Sequence, residues 1–230
     1  MPSPTTPHLT PPRAMVFDWD NTLVDSWGCI QESYNRTFRH FGMPEWGMEE
    51  VRANVARSLR DSFPILFGER WHEAREVFTR VFEEIHMSHL RPLPGAGEML
   101  ADLADAGLYL AVVSNKRGSF LRTEAQALGW SAWFGRLVGA NDAEADKPHP
   151  APVHLALEAG DLAPGPHVWF IGDSAVDLQC AVNSGCAPVL LRPEPPAEGE
   201  FPGHAPLCHL SGCGQLAGLV RELMVPISEF

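Results

Sequence analysis

The stretch AMVFDWDNTLVDS, residues 14–26, decides the fold of this chain. It opens with four apolar residues, Ala14–Phe17, and passes directly into two acids, Asp18 and Asp20. An apolar run this short and without polar alternation is typical of a strand buried on both faces of a parallel sheet. Open α/β sheets bind their ligands just beyond the carboxyl ends of such strands. The stretch therefore predicts a buried strand that carries two carboxylates to a binding site.

Two later apolar runs repeat this arrangement. Leu108–Val113 is followed by Ser114, and Val168–Ile171 is followed, after one glycine, by Asp173. Shorter strand candidates are Leu137–Val138 and Val189–Leu191. Amphipathic segments between the strands predict helices over residues 96–106, 120–128, 151–159, 177–184 and 215–224. This alternation of strands and helices predicts an α/β fold with a doubly wound, Rossmann-like parallel sheet.

One interval breaks the alternation and predicts a separate domain. Residues 26–91 have helical periodicity throughout and no convincing strand, and they end at the hinge-like sequence RPLP, residues 91–94. We therefore expect an inserted α-helical cap domain at residues 26–91 and an α/β catalytic core formed by residues 14–25 and 92–230. Residues 1–13 contain five prolines and are expected to form a disordered leader.

Composition restricts the class of partner. The chain has 230 residues, of which 17 are basic and 29 acidic, so its net charge is −12. Nucleic acids and anionic membranes bind basic surfaces, so neither is an expected partner, and no apolar run approaches the roughly 20 residues that cross a bilayer. The five cysteines form no C-x-x-C pair, and no secretory signal is recognised, so we expect reduced thiols and a cytoplasmic location. The region of Cys208 and Cys213 fits no zinc-finger spacing and is expected to be a loop.

Three acids beyond predicted strands indicate a metal-assisted reaction. Asp18 and Asp20 lie two positions apart, and carboxylates this close favour a divalent cation because their like charges repel each other. Asp173 follows a different strand and is placed to coordinate the same cation. In this interpretation Asp18 attacks a phosphorus atom as nucleophile, and Asp20 delivers a proton to the leaving oxygen.

Polar residues elsewhere complete this hypothesis. Ser114 and Asn115 follow the second strand and can hydrogen-bond phosphoryl oxygens. Lys147, fixed by the proline that follows it, supplies a positive charge for these oxygens and for the crowded carboxylates. Asp177 lies one helical turn beyond Asp173, where it can orient Asp173, Lys147 or a metal-bound water. A simple turn would also explain Ser114, and a helix cap would also explain Asp177.

Arginines in the predicted cap are candidates for reading the rest of the substrate. Arg52, Arg57 and Arg60 lie on one predicted segment, and an arginine there can pair with a carboxylate or a second anionic group of the substrate. A solvated, charged helix face is the alternative explanation for each of the three. Because the acidic surface repels anions, we expect substrate capture to depend on the cation and on local positive charges rather than on long-range steering.

The four motifs, in this order and spacing, are similar to those of the haloacid dehalogenase superfamily. They are D-x-D-x-T at residues 18–22, S-N-K at 114–116, K-P at 147–148 and G-D-x-x-x-D at 172–177. More narrowly, the chain resembles the phosphoglycolate-phosphatase-like phosphohydrolases of that superfamily, which carry a helical cap after the first motif. The resemblance extends over about residues 14–191. Trp19 and Asn21 depart from the family pattern, which more often has leucine or methionine, and glycine, at these positions.

The resemblance implies a phosphoric monoester hydrolase that acts through an aspartyl-phosphate intermediate. Its catalytic residues would be Asp18, Asp20, Ser114 and Lys147. Mg²⁺ would be held by the carboxylates of Asp18 and Asp173 and by the main-chain carbonyl of Asp20, with Asp177 behind them. The predicted substrate-binding residues are Thr22, Asn115, Arg57 and Arg60. The expected substrate is a small phosphorylated metabolite, and the expected assembly is a monomer or homodimer.

Related activities in the same superfamily fit the sequence less well. Dehalogenases lack the acid that Asp20 provides. Members that cleave phosphonates use a cap lysine, and residues 26–91 contain none. Sugar phosphomutases keep both aspartates and stay open as an alternative, although Thr22 favours hydrolysis because some mutases have an aliphatic residue there.

Two alternatives belong to other classes of protein. A receiver-like phosphoacceptor switch also uses an aspartate and Mg²⁺, but receivers are far shorter and place their acidic pair ahead of the acceptor aspartate. A serine esterase with Ser174 as nucleophile requires a downstream Asp-x-x-His, and the only such spacing, Asp146 to His149, lies upstream. Both details favour the hydrolase.

Overall fold

A six-stranded parallel sheet forms the centre of the structure, a computed structural model that describes residues 9–55 and 59–224. In chain order its strands are β1 (Ala14–Phe17), β2 (Tyr109–Arg117), β3 (Phe134–Ala140), β4 (Val168–Gly172), β5 (Ala187–Leu191) and β6 (Cys208–Leu210). Their order across the sheet is β3-β2-β1-β4-β5-β6, and every pairing is parallel. The chain thus winds outward in both directions from β1, which confirms the predicted doubly wound α/β fold.

Helices precede, follow and connect these strands. In the described residues they are α1 (Trp27–Phe41), α2 (Met48–Asn54), α3 (Leu59–Phe67), α4 (Trp71–His89), α5 (Ala96–Asp105), α6 (Gly118–Ala127), α7 (Ala151–Glu158), α8 (Ala175–Asn183) and α9 (Cys213–Met224). Apolar residues of α5, α6 and α9 pack on one face of the sheet, and those of α7 and α8 pack on the other. No helix in the described part of the chain is long and apolar enough to span a membrane.

The strand β1 is buried on both faces, as its sequence predicts. Met15 and Phe17 belong to the cluster with α5, α6 and α9, whereas Ala14 and Val16 belong to the cluster with α7 and α8. Because side chains alternate along a strand, an uninterrupted apolar run supplies both layers at once. This central position places the residues that follow β1 at the middle of the sheet edge.

The helices α1–α4 lie between β1 and β2, so the predicted insertion of a helical region after β1 is confirmed. They have their own aromatic core, in which the ring of Tyr34 lies 5.1 Å from that of Phe78 and 5.8 Å from that of Phe63. The two connections to the sheet lie side by side: Asp25 N donates to Arg91 O at 2.8 Å, and the Leu93 N donates to Leu23 O at 2.9 Å. The predicted hinge sequence thus forms one half of this paired connection.

Several local predictions need correction. The second strand continues through Ser114 to Arg117, because the parallel pairing with β3 extends that far with a bulge. The region predicted as a loop contains β6 and the start of α9 at Cys213, since Cys208–Leu210 pairs with β5. The helices predicted over residues 177–184 and 215–224 begin slightly earlier than predicted, at Ala175 in α8 and at Cys213 in α9.

The predicted leader falls partly outside the described residues, which begin at Leu9. Of the remainder, Leu9 packs against the core, and Thr10 O accepts a hydrogen bond of 2.9 Å from Trp169 Nε1. Arg13 N donates to His167 O at 2.8 Å, immediately before β1 begins. The last part of the predicted leader is therefore held against the sheet.

Candidate active site

A cavity of about 880 Å³ opens where β1, β2 and β4 end, beneath the inserted helices. Its wall on the sheet side includes Asp18, Asp20, Ser114, Lys147 and Asp173. Asp18 N donates to Ile171 O at 2.8 Å, which continues the β1–β4 pairing into the site. The structure therefore brings together side chains that the sequence separates by up to 155 positions, because parallel strands end at a common edge.

Lys147 lies between two of the acids. Its Nζ is 2.7 Å from Asp18 Oδ1 and 2.7 Å from Asp177 Oδ1, and all three side chains are buried. Burial raises the pKa of Asp18 to about 7 although Lys147 acts in the opposite direction. Burial lowers the pKa of Lys147, but the carboxylates of Asp177 and Asp18 outweigh that effect and raise it above its ordinary value. Lys147 is thus a fixed cation beside the predicted nucleophile.

Three carboxylates form a group suited to a metal ion. Oxygen atoms of Asp18, Asp173 and Asp177 all lie within 4.8 Å of one another. Burial, together with the charges of Asp177 and Asp18, raises the pKa of Asp173 well above its usual range. Hard divalent cations bind carboxylate oxygens, so this donor set fits such an ion and would relieve the repulsion. The group contains both carboxylates of the predicted metal set, Asp18 and Asp173.

Asp177 is held by its own helix. Its Oδ2 accepts hydrogen bonds from Ser174 N at 3.1 Å and from Ser174 Oγ at 2.6 Å, which forms the capping box of α8. A Cβ atom at Gly172 would lie 2.2 Å from Asp177 Cβ, so only glycine permits this approach. Asp177 therefore caps α8 with one oxygen and binds Lys147 with the other.

Ser114 and Asn115 lie side by side in β2 but have different contacts. Both line the cavity, and Ser114 Oγ accepts a hydrogen bond of 3.2 Å from Lys116 N. The Asn115 side chain clamps the main chain of Lys147: its Oδ1 accepts from Lys147 N at 3.0 Å, and its Nδ2 donates to Lys147 O at 3.2 Å. Asn115 thus positions Lys147 in addition to its predicted role toward substrate.

A second lysine contacts the second aspartate of the first motif. Lys116 Nζ lies 2.7 Å from Asp20 Oδ1 and 2.6 Å from Glu124 Oε2. Ser26 Oγ donates to the same oxygen of Asp20. Burial lowers the pKa of Lys116, but Asp20 and Glu124 outweigh it, so the pKa is raised above its ordinary value. Lys116 is therefore a buried cation between two acids, as Lys147 is.

The structure explains the two residues that depart from the family pattern, Trp19 and Asn21. Trp19 is fully buried, and its Nε1 donates to Glu124 Oε2 at 2.7 Å, so the larger side chain reaches a partner that a leucine could not bind. Asn21 has a φ of 62°, in the left-handed region where glycine is favoured and asparagine is tolerated. Its Oδ1 also accepts a hydrogen bond of 3.1 Å from Ser26 N. Both residues thus stabilise the loop that carries Asp20.

The remaining predicted substrate-binding residues lie in different places. Thr22 is buried, lines the cavity and has its Oγ1 3.5 Å from Asp173 Oδ1. Arg57 lies outside the described residues. Arg60 is not part of the cavity wall, and its Nη2 is 2.7 Å from Oδ2 of Asp146, in the core. Among the described residues of the insert, the arginine that lines the cavity is Arg52, the third candidate arginine of this segment, which was not included in the predicted substrate-binding set.

Sequence reasoning also missed the group around Lys116. A signal existed for the lysine itself: the chain contains only two lysines, Lys116 and Lys147, and each contacts one aspartate of the first motif. No comparable signal exists for Glu124 or His86, because each reaches the network only through tertiary packing. Both residues are far from Asp20 in the sequence, so the sequence alone does not predict that they belong to its network.

Comparison with known proteins identifies the class. A family model described as haloacid dehalogenase-like hydrolase matches residues 15–190. The phosphoglycolate phosphatase of Photorhabdus laumondii is 31% identical over 182 residues, which cover 76% of this chain and 77% of that protein. The phosphoglycolate phosphatase of Yersinia pestis is 30% identical over 189 residues, covering 76% and 78%. The chain therefore belongs to the haloacid dehalogenase-like hydrolases.

Solved structures agree with this assignment. The crystal structure of a hydrolase of this superfamily from Ehrlichia chaffeensis has a TM-score of 0.65 and 25% identity, and the match covers 95% of this chain and all of that one. A haloacid dehalogenase-like family protein from Streptococcus pneumoniae has a TM-score of 0.79 at 22% identity, with 90% and 98% covered, and supports the fold. Among the curated relatives, this hydrolase is similar to the phosphoglycolate phosphatases.

Proposed function

We propose that this hydrolase is a Mg²⁺-dependent phosphatase that cleaves a small phosphate monoester through an aspartyl-phosphate on Asp18. The observation that carries the proposal is the position of the Asp18 carboxylate, in the cavity wall with Lys147 on one side and Asp173 and Asp177 in metal-binding range. A carboxylate is a weak nucleophile unless cations reduce the repulsion from the anionic phosphoryl group. This site provides Lys147 and the donors for a metal ion.

In the first half-reaction a carboxylate oxygen of Asp18 attacks phosphorus. The new bond joins that oxygen to phosphorus, and the bond from phosphorus to the leaving oxygen breaks. Asp20, in its protonated form, gives its proton to that oxygen, so the alcohol departs neutral. Lys147 and the Ser114 hydroxyl face the cavity where the phosphoryl oxygens carry the transferred charge.

The second half-reaction reverses the role of Asp20. Its carboxylate takes a proton from a water molecule, whose oxygen attacks phosphorus while the bond to Asp18 breaks. Inorganic phosphate leaves, and both aspartates return to their starting state. When bound, Mg²⁺ would offset the charge of the carboxylates and phosphoryl oxygens, held by the carboxylates of Asp18 and Asp173 and the main-chain carbonyl of Asp20.

The substrate class follows from the relatives and from the cavity. Relatives at 30% and 31% identity are named phosphoglycolate phosphatases, so 2-phosphoglycolate is the first compound to test. The cavity wall on the side of the insert carries one arginine, Arg52, among its described residues, and this cation is suited to an anionic leaving group. We propose a small phosphorylated metabolite, with a sugar phosphomutase of the same family as the alternative.

The proposal is tested by phosphate release. The purified chain is incubated with 2-phosphoglycolate, sugar phosphates and p-nitrophenyl phosphate, with Mg²⁺ or with EDTA. We expect Mg²⁺-dependent release of inorganic phosphate that Asp18→Asn abolishes. Ser174→Ala keeps the main-chain donor to Asp177 and should retain activity, in contrast to the loss expected if Ser174 were the nucleophile. Interconversion of sugar phosphates without phosphate release would favour the mutase, and near-normal activity of Asp18→Asn would overturn the mechanism.

A further inference from the structure

The acid/base residue of the proposed reaction lies at one end of a buried network that reaches the inserted helices. Lys116 Nζ joins Asp20 Oδ1 to Glu124 Oε2 at 2.7 and 2.6 Å. Glu124 is 1% exposed, and its other oxygen, Oε1, lies 2.8 Å from His86 Nδ1. His86 belongs to α4 of the insert, whereas Lys116 and Glu124 belong to the core. The network therefore crosses the boundary between the sheet and the insert.

Glu124 connects three partners, Lys116, Trp19 and His86. Its Oε2 accepts from Lys116 and from Trp19 Nε1, and its Oε1 faces His86. Since an ionised carboxylate only accepts hydrogen bonds, His86 Nδ1 is the donor. Through Trp19 and Lys116, Glu124 thus holds both the residue before Asp20 and the Asp20 side chain itself.

Apolar contacts support the same connection. The ring of His86 stacks on that of Phe82 at 5.4 Å, and Lys116 Nζ lies over the Phe82 ring at 5.2 Å. The ring of Phe120, in α6, lies 4.9 Å from that of His86 and 5.2 Å from that of Phe82. Moving α4 away from the sheet would remove Phe82 from Lys116 and His86 from Glu124 together.

We propose that Lys116 is a positioning residue for Asp20, and that the Glu124–His86 contact makes this positioning depend on the docking of α4 onto the core. Lys116 and Ser26 both bind Asp20 Oδ1, which fixes the orientation of this carboxyl group and leaves Oδ2 outside these two contacts. Glu124 supplies the counter-charge that a buried lysine requires. The inserted helices thereby complete the acid/base geometry as well as the cavity wall.

This inference rests on the proposed phosphatase activity, and leaving-group dependence tests it. Phenyl phosphate needs a proton on its leaving oxygen, whereas p-nitrophenyl phosphate loses a stabler anion and needs little help. We expect Lys116→Met to lower kcat/KM for phenyl phosphate about 100-fold and for p-nitrophenyl phosphate less than about 10-fold. Lys116→Arg, which keeps a donor, should recover at least about tenfold on phenyl phosphate. An equal loss on both esters would show a merely structural role and overturn the proposal.

A double variant controls for misfolding. Lys116→Met leaves Glu124 without its cation, so Lys116→Met/Glu124→Gln removes both charges together. It should fold, as judged by circular dichroism, and should keep the stronger loss on phenyl phosphate. A folded double variant with wild-type leaving-group dependence would contradict the proposal.

The coupling to α4 is tested with matched histidine variants. His86→Phe keeps a ring for Phe82 and loses the donor to Glu124, while His89→Phe changes the other histidine near the end of the same helix, outside the network. We expect His86→Phe to reproduce the selective loss on phenyl phosphate, by about tenfold, and His89→Phe to behave as wild type. Equal behaviour of the two variants would overturn the coupling.

A spectroscopic measurement separates this inference from the proposed activity. Protein labelled with ¹⁵N-lysine has two side-chain signals, and the one that Lys116→Arg removes belongs to Lys116. His86→Phe should shift the Lys116 signal and leave the Lys147 signal in place, and His89→Phe should move neither. If no phosphate ester is hydrolysed, the proposed function fails while this result still decides the network. An unmoved Lys116 signal in His86→Phe would overturn the coupling.

Discussion

The two lysines of this chain form two halves of the site that differ in what holds them. Lys147 contacts Asp18 and Asp177, and its contacts in the described residues come from the core: the end of β1, Asn115 of β2 and the start of α8. Lys116 contacts Asp20 and Glu124, and its surroundings include Phe82 and His86 of the insert. The proposed nucleophile, Asp18, is thus held by the core alone, whereas the contacts of the proposed acid/base, Asp20, depend on both parts.

In the proposed reaction the two halves have different tasks: Lys147 stabilises the phosphoryl group, and Asp20 transfers a proton. A positive charge that stabilises phosphoryl transfer is needed whenever substrate is bound. The rigid attachment of Lys147 to the core meets this requirement. A proton donor is useful only once substrate is enclosed, because water would otherwise compete with the leaving group. In the proposed mechanism, the link between Asp20 and the insert would make proton transfer depend on enclosure of the substrate. The predictions below alter one half at a time.

Removal of Lys147 should have the largest effect. Lys147→Met leaves Asp18 and Asp177 without their shared cation, so we expect kcat to fall at least about 10³-fold and the free energy of unfolding to fall by about 3–5 kcal/mol. In contrast to Lys116→Met, the loss should be equal for phenyl and p-nitrophenyl phosphate. Steady-state kinetics and urea denaturation measure both quantities, and a leaving-group-dependent loss in Lys147→Met would erase the distinction between the halves.

Steric crowding of Asp177 should have the second largest effect. Asp177 lies in the core-built half, the half of the site around Lys147 that the core alone forms. Gly172→Ala places a methyl group 2.2 Å from Asp177 Cβ, so we expect a loss of about 1–3 kcal/mol in stability and weaker Mg²⁺ binding. Gly218→Ala in α9, where a Cβ meets nothing within 4 Å, is the matched control. The control should be neutral or gain up to about 1 kcal/mol. Calorimetric titration with Mg²⁺ and thermal unfolding compare the two variants. Unchanged stability and Mg²⁺ affinity in Gly172→Ala would show that the close approach of Asp177 to residue 172 is not required.

The pH dependence of metal binding should report on the same half. The pKa of Asp18 is raised from 3.8 to about 7 by burial despite Lys147, so below about pH 7 a proton must leave before a cation binds. Mg²⁺ affinity should therefore rise with pH up to about pH 7, by about tenfold or more per pH unit, because the pKa of Asp173 is raised as well. Titration in buffers of different ionisation enthalpy measures the protons released, and an affinity unchanged by pH would contradict the raised pKa.

The stability of the metal-free protein should change in the opposite direction. Because the folded state binds a proton at Asp18 that the unfolded chain has already lost, stability should fall as pH rises from about 4 to about 7. Saturating Mg²⁺ should remove this fall, since it replaces the proton. Thermal unfolding across this range, with EDTA or with Mg²⁺, checks the sign.

The smallest expected effect concerns a contact between insert and core that lies outside both networks. Arg60→Gln removes the 2.7 Å contact with Asp146, whose side chain is 3% exposed while that of Arg60 is 43% exposed. An ion pair with so exposed a partner contributes about 1 kcal/mol or less, so KM should rise a few-fold at most, equally for all esters. A selective rise for esters with an anionic leaving group would show instead that Arg60 binds substrate.

The sequence predicted the core-built half better than the half shared with the insert. Asp18 and Asp173 follow apolar runs, and Lys147 belongs to a family motif. Residues that follow buried parallel strands lie together at one edge of the sheet. The extent of β2, the strand β6 and the contact between Arg60 and Asp146 depend on pairing and packing between distant segments. Local periodicity does not encode those contacts.

Lys116 shows where this limit lies. Lys116 belongs to the S-N-K motif, which the sequence shows. Its partner Glu124 lies on a helix that the sequence predicts only as an amphipathic segment. His86 lies in the predicted cap, whereas Lys116 and Glu124 lie in the predicted core. A buried acid on a helix is recognisable only when its neighbours are known. Trp19 and Asn21 were visible as departures from a family pattern, and tertiary contacts supplied their reasons.

The most direct test of the account is to trap the phosphorylated carboxylate. Asp20→Asn removes the base that releases phosphate, so after mixing with a phosphate ester and Mg²⁺ and quenching in acid, peptide mass spectrometry should find one phosphoryl group per chain on Asp18, labile to hydroxylamine. The same treatment of Asp18→Asn should find none. A phosphoryl group on Ser114 or another residue, or phosphate release in a single turnover by the wild-type chain with no modified peptide in either form, would contradict attack by Asp18.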